Sequence, residues 1–191
     1  SVATSPGEVG EIQVRGPNVL REYWRQPEKT AESFQDGWFG TGDLGEWDEE
    51  GRLIICGRLK ELIISSGFNI YPQELINCLC DHPGVSEAAV VGASDETTGQ
   101  AVVAFVILRQ EFAEEMAVEA PVLLRSHVAQ QIGAIARPRD IYIVAELPKT
   151  RSGKIMRRLL RDVAEGREVG DTTTLADTSV MQIISDKLGG V

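Results

Sequence analysis

Beyond Leu59 the apolar residues fall into alternating strand-like and helix-like runs, and their order leaves few folds open. Val85 to Val91 and Ala101 to Leu108 read as two strands joined by Asp95-Glu96-Thr97-Thr98-Gly99. Ahead of them, Leu62-Ile63-Ile64 is a short apolar strand ending in Ser65-Ser66-Gly67, and Pro72 suits a first helical position. Leu75, Ile76 and Leu79 then share a helical face until Pro83-Gly84 stops it. Leu124, Val128 and Ile132 recur at helical spacing, so a helix covers about 121–132. Ile141-Tyr142-Ile143-Val144 is another strand. Ile155, Met156, Leu159, Leu160 and Val163 form one stripe of a helix, and a last helix spans about 177–188. Strand-helix-strand-strand-helix-strand-helix describes a small α+β domain.

The first part of the chain is mostly β. Ile12 and Val14 alternate with polar neighbours in Glu11 to Arg15, until Gly16-Pro17-Asn18 breaks the run. Residues 27–35 begin with Pro27 and allow a short helix. Trp47 to Gly57 reads as strand, acidic turn with Gly51, strand: a hairpin. The chain opens on Ser1, not Met, and a strand begins almost at once, so a piece of a longer polypeptide is expected.

Composition removes several function classes. The longest apolar run, Ala101 to Leu108, is far short of the ~20 residues of a membrane span. Three cysteines give no disulfide framework and point to a reducing, cytoplasmic home. A net charge of −10 argues against nonspecific nucleic-acid binding. That charge is uneven. Lys149 to Arg167 holds seven basic and two acidic residues, a local +5 that leaves −15 elsewhere. Such asymmetry marks either a solvated helix face or a local anion site.

Four motif matches fail on context. Gly40-Thr41-Gly42-Asp43-Leu44-Gly45 fits G-x-G-x-x-G, but a hairpin follows where a dinucleotide fold needs a helix. Gly153-Lys154 looks like the end of a phosphate loop, yet Pro148 and Ile155 stand where glycine and Ser/Thr are required. Cys78 and His82 share a helical face while Cys80 points away, which spoils a tetrahedral metal site. With only His82 and His127 in the chain, no Ser/His/Asp or Cys/His set is convincing.

Two segments remain: Gly42-Asp43 followed by Gly57-Arg58-Leu59-Lys60-Glu61, and Leu147 through Ile155. A carboxylate on a glycine turn can accept two hydrogen bonds from a vicinal diol such as a ribose, or can simply cap its turn. An arginine beyond a hairpin can fold back to the same place. Lys154 follows a Ser-Gly turn and would stand at a helix start, the wrong end of the dipole for a cation; an anionic ligand would compensate.

Taken together, these segments resemble the adenylate-forming acyl-CoA synthetases, over essentially the whole chain. The runs that carry the likeness are Gly10-Glu11-Ile12 to Gly16-Pro17, Thr41-Gly42-Asp43, Gly57 to Ile63, Ser66-Gly67-Phe68-Asn69-Ile70-Tyr71-Pro72-Gln73-Glu74, and Pro148 to Ile155. The resemblance implies the end of a β-barrel subdomain of a large N-terminal domain over residues 1–59. A small mobile α+β C-terminal domain would follow over 60–191, with a hinge at Lys60. The large domain's ATP-phosphate loop and acyl pocket would lie upstream of Ser1.

The same resemblance implies a two-step reaction of a small carboxylate with ATP, Mg2+ and CoA. The carboxylate attacks the α-phosphate of ATP to give acyl-adenylate and pyrophosphate; the CoA thiol then gives acyl-CoA and AMP. Asp43 and Arg58 would hold the ribose hydroxyls, and Asn69 would lie near the ATP phosphates. Lys154 would stabilise charge during adenylation. Swinging about Lys60 would replace Lys154 with the Ser66-Gly67 loop at the thiol channel. His82 matches a segment associated with magnesium. Lys154 matches the lysine that an acetyltransferase and deacetylase modify to switch such enzymes. Gly99-Gln100-Ala101, Pro148 to Arg158 and Thr174 to Asp177 look acetyl-CoA synthetase-like, whereas Gly10 to Pro72 looks closer to malonyl-, fatty- or aryl-CoA synthetases. Asn69 stands where acetyl-CoA synthetases usually carry an arginine, and Ala129 lies near a position where they carry a CoA-contacting one. A luciferase-like or carrier-protein-loading relative, and a non-catalytic nucleotide-binding or interaction module, are the competing expectations.

Overall fold

The computed structural model describes residues 5–116 and 118–188, and the chain divides into two compact units, Ser1–Glu61 and Leu62–Val191. In the first unit β3 (Trp38–Trp47) is central. It pairs antiparallel with β1 (Gly10–Val14) on one edge, and with β2 (Phe34–Gln35) and β4 (Leu53–Arg58) on the other. The sheet is open, with no closed barrel among the described residues. Helix α1 (Pro27–Ser33) takes its proline in the first turn. The expected hairpin is β3–β4, and Asp48 closes its tip by accepting hydrogen bonds from the Glu50 and Arg52 N–H groups at 2.9 and 2.8 Å.

In the second unit β8 (Gly99–Leu108) is central, pairing antiparallel along its whole length with β7 (Val85–Asp95). Its other edge meets β5 (Ile63–Ser65) at Gly99 and runs parallel to β9 (Asp140–Ile143) further on. Strand β6 (Phe68–Ile70) extends the sheet beyond β5. The apolar runs of β7 and β8 do not alternate with polar residues because helices cover both faces. Ala88, Val90, Val102, Ala104 and Val106 pack with α2 (Pro72–Asp81) and α4 (Ala120–Gln131). Ala89, Val91, Val103 and Phe105 pack with α5 (Arg157–Ala164) and α6 (Ser179–Lys187). This is a three-layer α+β unit. No described helix is long and apolar enough to cross a membrane.

Two expectations need correction, and two elements were not expected. Helix α5 begins at Arg157, so Ile155 and Met156 lie outside it: Ile155 bridges back to Lys149, and Met156 N–H donates to Pro148 O at 2.8 Å. Both residues continue the apolar stripe because they pack on the same core as α5, in an extended segment. The strand β6 and the short helix α3 (Gln110–Met116) carried no sequence signal that was read. Strand β7 runs on to Asp95, so the expected five-residue connection is a tight turn.

Candidate functional site

In the first unit Asp43 and Arg58 are direct partners across β3 and β4, with Arg58 Nε 3.1 Å from Asp43 Oδ1. The local sequence braces this point. Thr41 Oγ1 donates to Ile12 O at 2.7 Å and accepts from Asp43 N–H at 3.1 Å. Gly42, at φ +74°, turns its N–H to Glu11 Oε1 at 3.0 Å. The Arg58 side chain is 63% exposed and that of Asp43 35%. An exposed pair of this kind adds about 0–1 kcal/mol, so stability is a weak reason for it. What it offers is a fixed carboxylate with acceptor capacity left over, beside a cationic fork that suits hydroxyl groups and phosphates.

In the second unit Lys154 ends a small turn. Thr150 N–H donates to Lys154 O and Gly153 N–H to Thr150 O, both at 2.8 Å. Thr150 Oγ1 accepts from Lys154 N–H at 3.1 Å, and Gly153 sits at φ +83°. The turn docks on the segment before α6, where Ala176 N–H donates to Lys149 O at 2.9 Å and Thr150 bridges to Leu175. On this ordered support the Lys154 side chain is exposed, and its ammonium makes no ion pair or hydrogen bond among the described residues. It lies three residues ahead of α5, not on it, so the unfavourable dipole position expected from the sequence does not arise.

Ser66 and Gly67 form the two-residue turn between β5 and β6, at φ +51° and +80°. Two positive φ values are what a type I′ hairpin turn requires. Ser66 N–H donates to Thr98 O at 2.8 Å, which ties the turn to the tip of the β7–β8 hairpin. Beside it is an open cavity of about 290 Å³ lined by Ser66, Asp95, Thr98, Arg125, Arg137 and Arg139 among others. Arg139 pairs with Asp95 at 3.0 Å and Asp140 at 2.7 Å. Arg125 is half-buried and Arg137 exposed, and neither guanidinium has an ion pair or hydrogen bond among the described residues. Three guanidinium groups facing one acidic lining residue make a locally positive concavity in an acidic chain. The sequence reading missed it because Arg125, Arg137 and Asp95 meet only after folding; Arg137-Pro138-Arg139 was the one local hint.

The Lys154 turn and the Ser66–Gly67 turn stand at opposite ends of the β7–β8 hairpin. The stem of the Lys154 turn meets β7 at Glu87, whereas the Ser66–Gly67 turn meets the far end at Thr98 and Gly99. Glu87 and Asp95 are separated by eight residues of strand, roughly 26 Å.

Comparison with known proteins shows what the chain is similar to. Residues 75–154 match the family model of the AMP-binding enzyme C-terminal domain. The acetyl-coenzyme A synthetase of Streptomyces coelicolor is 50% identical over 175 residues, covering 90% of this chain and 27% of that protein. The acetyl-coenzyme A synthetase of Rubrobacter xylanophilus is 43% identical over 96% of this chain and 29% of its own. Among solved structures, ATP-bound MatB from Rhodopseudomonas palustris superposes with a TM-score of 0.75 at 36% identity, covering 85% of this chain and 31% of that one. The o-succinylbenzoate CoA synthetase MenE from Bacillus subtilis, in complex with its acyl-adenylate intermediate, gives 0.70 at 38% identity, over 83% and 31%.

The chain is similar to the AMP-binding enzyme C-terminal domain over residues 75–154 and to acetyl-coenzyme A synthetases over most of its length. It spans about a quarter to a third of the length of the relatives it matches. Of the remaining residues expected to serve an adenylate-forming enzyme, Lys60 lies in a single 3-10 turn, Leu59–Glu61, where the two units meet in sequence. Asn69 is exposed on β6, opposite Ile64. His82 caps the end of α2: its Nδ1 accepts from Gly84 N–H at 3.1 Å, and its ring meets His127 edge-on at 5.4 Å. Burial, then the neighbouring His127, push the His82 imidazole below its ordinary pKa. No three metal-ligating side chains converge among the described residues. Magnesium prefers oxygen donors, so the surroundings of His82 do not form a cage for it.

Proposed function

We propose that this chain is the C-terminal region of an AMP-forming acyl-CoA synthetase that joins a small carboxylate, acetate first, to CoA. Its first unit, to about residue 59, would complete the large domain, and residues 60–191 would form the mobile one. The observation that carries this reading is the placement of two ligand-facing edges at opposite ends of one sheet. One is a lone exposed lysine on a braced turn. The other is a narrow Ser-Gly turn beside three arginines. A single orientation of the unit cannot bring anchor points roughly 26 Å apart to one reacting carbon. Two orientations, used in succession, can.

In the first step Asp43 and Arg58 hold the ribose of ATP, bound as its magnesium complex. The Lys154 ammonium neutralises charge that builds on the carboxylate and α-phosphate oxygens as pyrophosphate leaves. A charge that needs no reorganisation acts at full strength there, which fits the absence of a competing partner for the Lys154 ammonium among the described residues. Asn69, on the hairpin that carries the Ser66–Gly67 turn, comes toward the nucleotide phosphate only in the second orientation. In the second step, rotation about Lys60 withdraws Lys154 and presents Ser66 and Gly67. CoA then runs past Gly67, where no side chain blocks the backbone, with its phosphates on Arg125, Arg137 and Arg139. The thiol sulfur, as thiolate, attacks the acyl carbon and AMP departs. The exposure of Lys154 also suits it to acetylation by a partner enzyme, which would remove the charge used in step one; mass spectrometry of the native protein would show the modified lysine or its absence.

A malonate-, fatty- or aryl-acid ligase is the second reading, favoured by Asn69 in place of an arginine. Pyrophosphate exchange by the full-length protein across acetate, propionate, malonate, octanoate and benzoate separates the two. Exchange strongest with acetate supports the first; silence with acetate and a signal with another acid supports the second; no exchange with any acid would reject adenylation itself.

A further inference from the structure

We infer that Glu87 is a positioning residue for Lys154, acting through Lys149; the inference rests on the adenylation role proposed for Lys154. Lys149 Nζ is 2.7 Å from Glu87 Oε2, and the two side chains are 31% and 33% exposed. Lys149 is the first residue of the stem of the Lys154 turn, bridging to Ile155 on the returning arm. The hydrogen bonds within the turn fix its shape, and Leu147, fully buried, fixes where the segment enters. The bond to Glu87 adds a tie from the stem to β7, a strand that helices cover on both faces.

The strand is built to make that tie. The pairing of β7 with β8 slips between Val85 and Glu87, so Ser86 has no opposite number. Val85 packs with the α2 and α4 face, while Ala89 and Val91 face α5 and α6. Without the slip Val85 and Glu87 would point the same way. With it, Glu87 keeps step with Ala89 and turns toward Lys149, the re-aiming that a bulge performs. A partly exposed ion pair adds little to stability. Placed five residues from a reacting ammonium, it adds direction instead, because a displacement of about 1 Å at a reacting group can cost about a hundredfold in rate.

The test compares Glu87→Gln, Lys149→Met, the double variant and Lys154→Ala in the full-length synthetase. Glu87→Gln should lower acetate-dependent ATP–pyrophosphate exchange by about tenfold or more, while thioester formation from supplied acyl-adenylate stays within about twofold. The double variant should be no slower than the slower single, since both act on one contact. Amide hydrogen exchange at Gly153 and Lys154 should quicken, and Glu87→Asp should recover part of the lost rate. If Lys154→Ala abolishes pyrophosphate exchange and Glu87→Gln leaves it unchanged, the positioning role is overturned and the adenylation role survives. Equal loss of both half-reactions in Glu87→Gln would make Glu87 a folding residue and likewise overturn the proposal. Should Lys154→Ala itself spare the exchange, both assignments fail together.

Discussion

Gly67 offers a test in which strain and passage pull apart. Its φ of +80° lies in the left-handed region, and a Cβ built there meets no heavy atom within 4 Å. Substitution is therefore conformationally costly but not crowded. Alanine should cost about 1–2 kcal/mol, the penalty of left-handed backbone for a residue with a Cβ. Asparagine tolerates that region better and should cost less, although its side chain is longer. For a unit of this size, 1 kcal/mol shifts the midpoint by about 2–8 °C. The stability order should be glycine, asparagine, alanine. If the pantetheine arm of CoA runs past this turn, the thioester step should follow a different order: glycine, alanine, asparagine, with the asparagine variant slowed about tenfold or more. Thermal melts and single-turnover thioester formation from supplied acyl-adenylate measure the two series. Thioester rates that track stability, or pyrophosphate exchange that falls in parallel, would refute the passage of CoA beside Gly67.

Three further outcomes follow from the same geometry. Asp95 is held at about 2, below its ordinary 3.8, chiefly by hydrogen bonds from the Thr98 backbone and hydroxyl and then by Arg139. A depressed carboxylate stabilises the fold fully above the ordinary value and loses that contribution as pH falls toward about 2. Urea midpoints should therefore drop more steeply between pH 4 and 2 in the native chain than in Asp95→Asn; parallel curves would contradict this. Phe105 is fully buried, with its ring 5.5 Å from that of Tyr142, so Phe105→Ala should cost about 3–5 kcal/mol by urea denaturation. A loss below 1 kcal/mol would mean that the two-sided core is misdescribed. Lys60→Pro fixes φ in the turn between the units and should slow overall turnover while sparing one half-reaction; unchanged turnover would argue against a hinge there.

Residues close in sequence were the legible ones. The β7 and β8 runs, the stripe of α2 and the β3–β4 hairpin follow from periodicity and turn chemistry alone, because each is decided within a dozen residues. Why the middle stretches of β7 and β8 are apolar on both faces was not legible, since the second helical layer comes from α5 and α6, far along the chain. The start of α5 misled for a related reason. Ile155 and Met156 are apolar because they pack on that layer, and helical spacing cannot tell a packed extended segment from a first helical turn. At the candidate site, Asp43, Arg58 and Lys154 were singled out by contiguous motifs. The arginine cavity was not, because its lining comes from the β7–β8 turn, α4 and the segment before β9. Glu87 gave no signal at all: its direction depends on a bulge that only the pairing register reveals.

Lys154 is the residue whose charge the proposed adenylation step needs most. Measuring both half-reactions in full-length Lys154→Ala tests it most directly. Acetate-dependent pyrophosphate exchange should fall by about a hundredfold or more, the scale of losing a preorganised charge at the transition state, while thioester formation from supplied acyl-adenylate stays within about threefold. Exchange that persists, or an equal loss of both steps, would contradict the assignment of this lysine to adenylation.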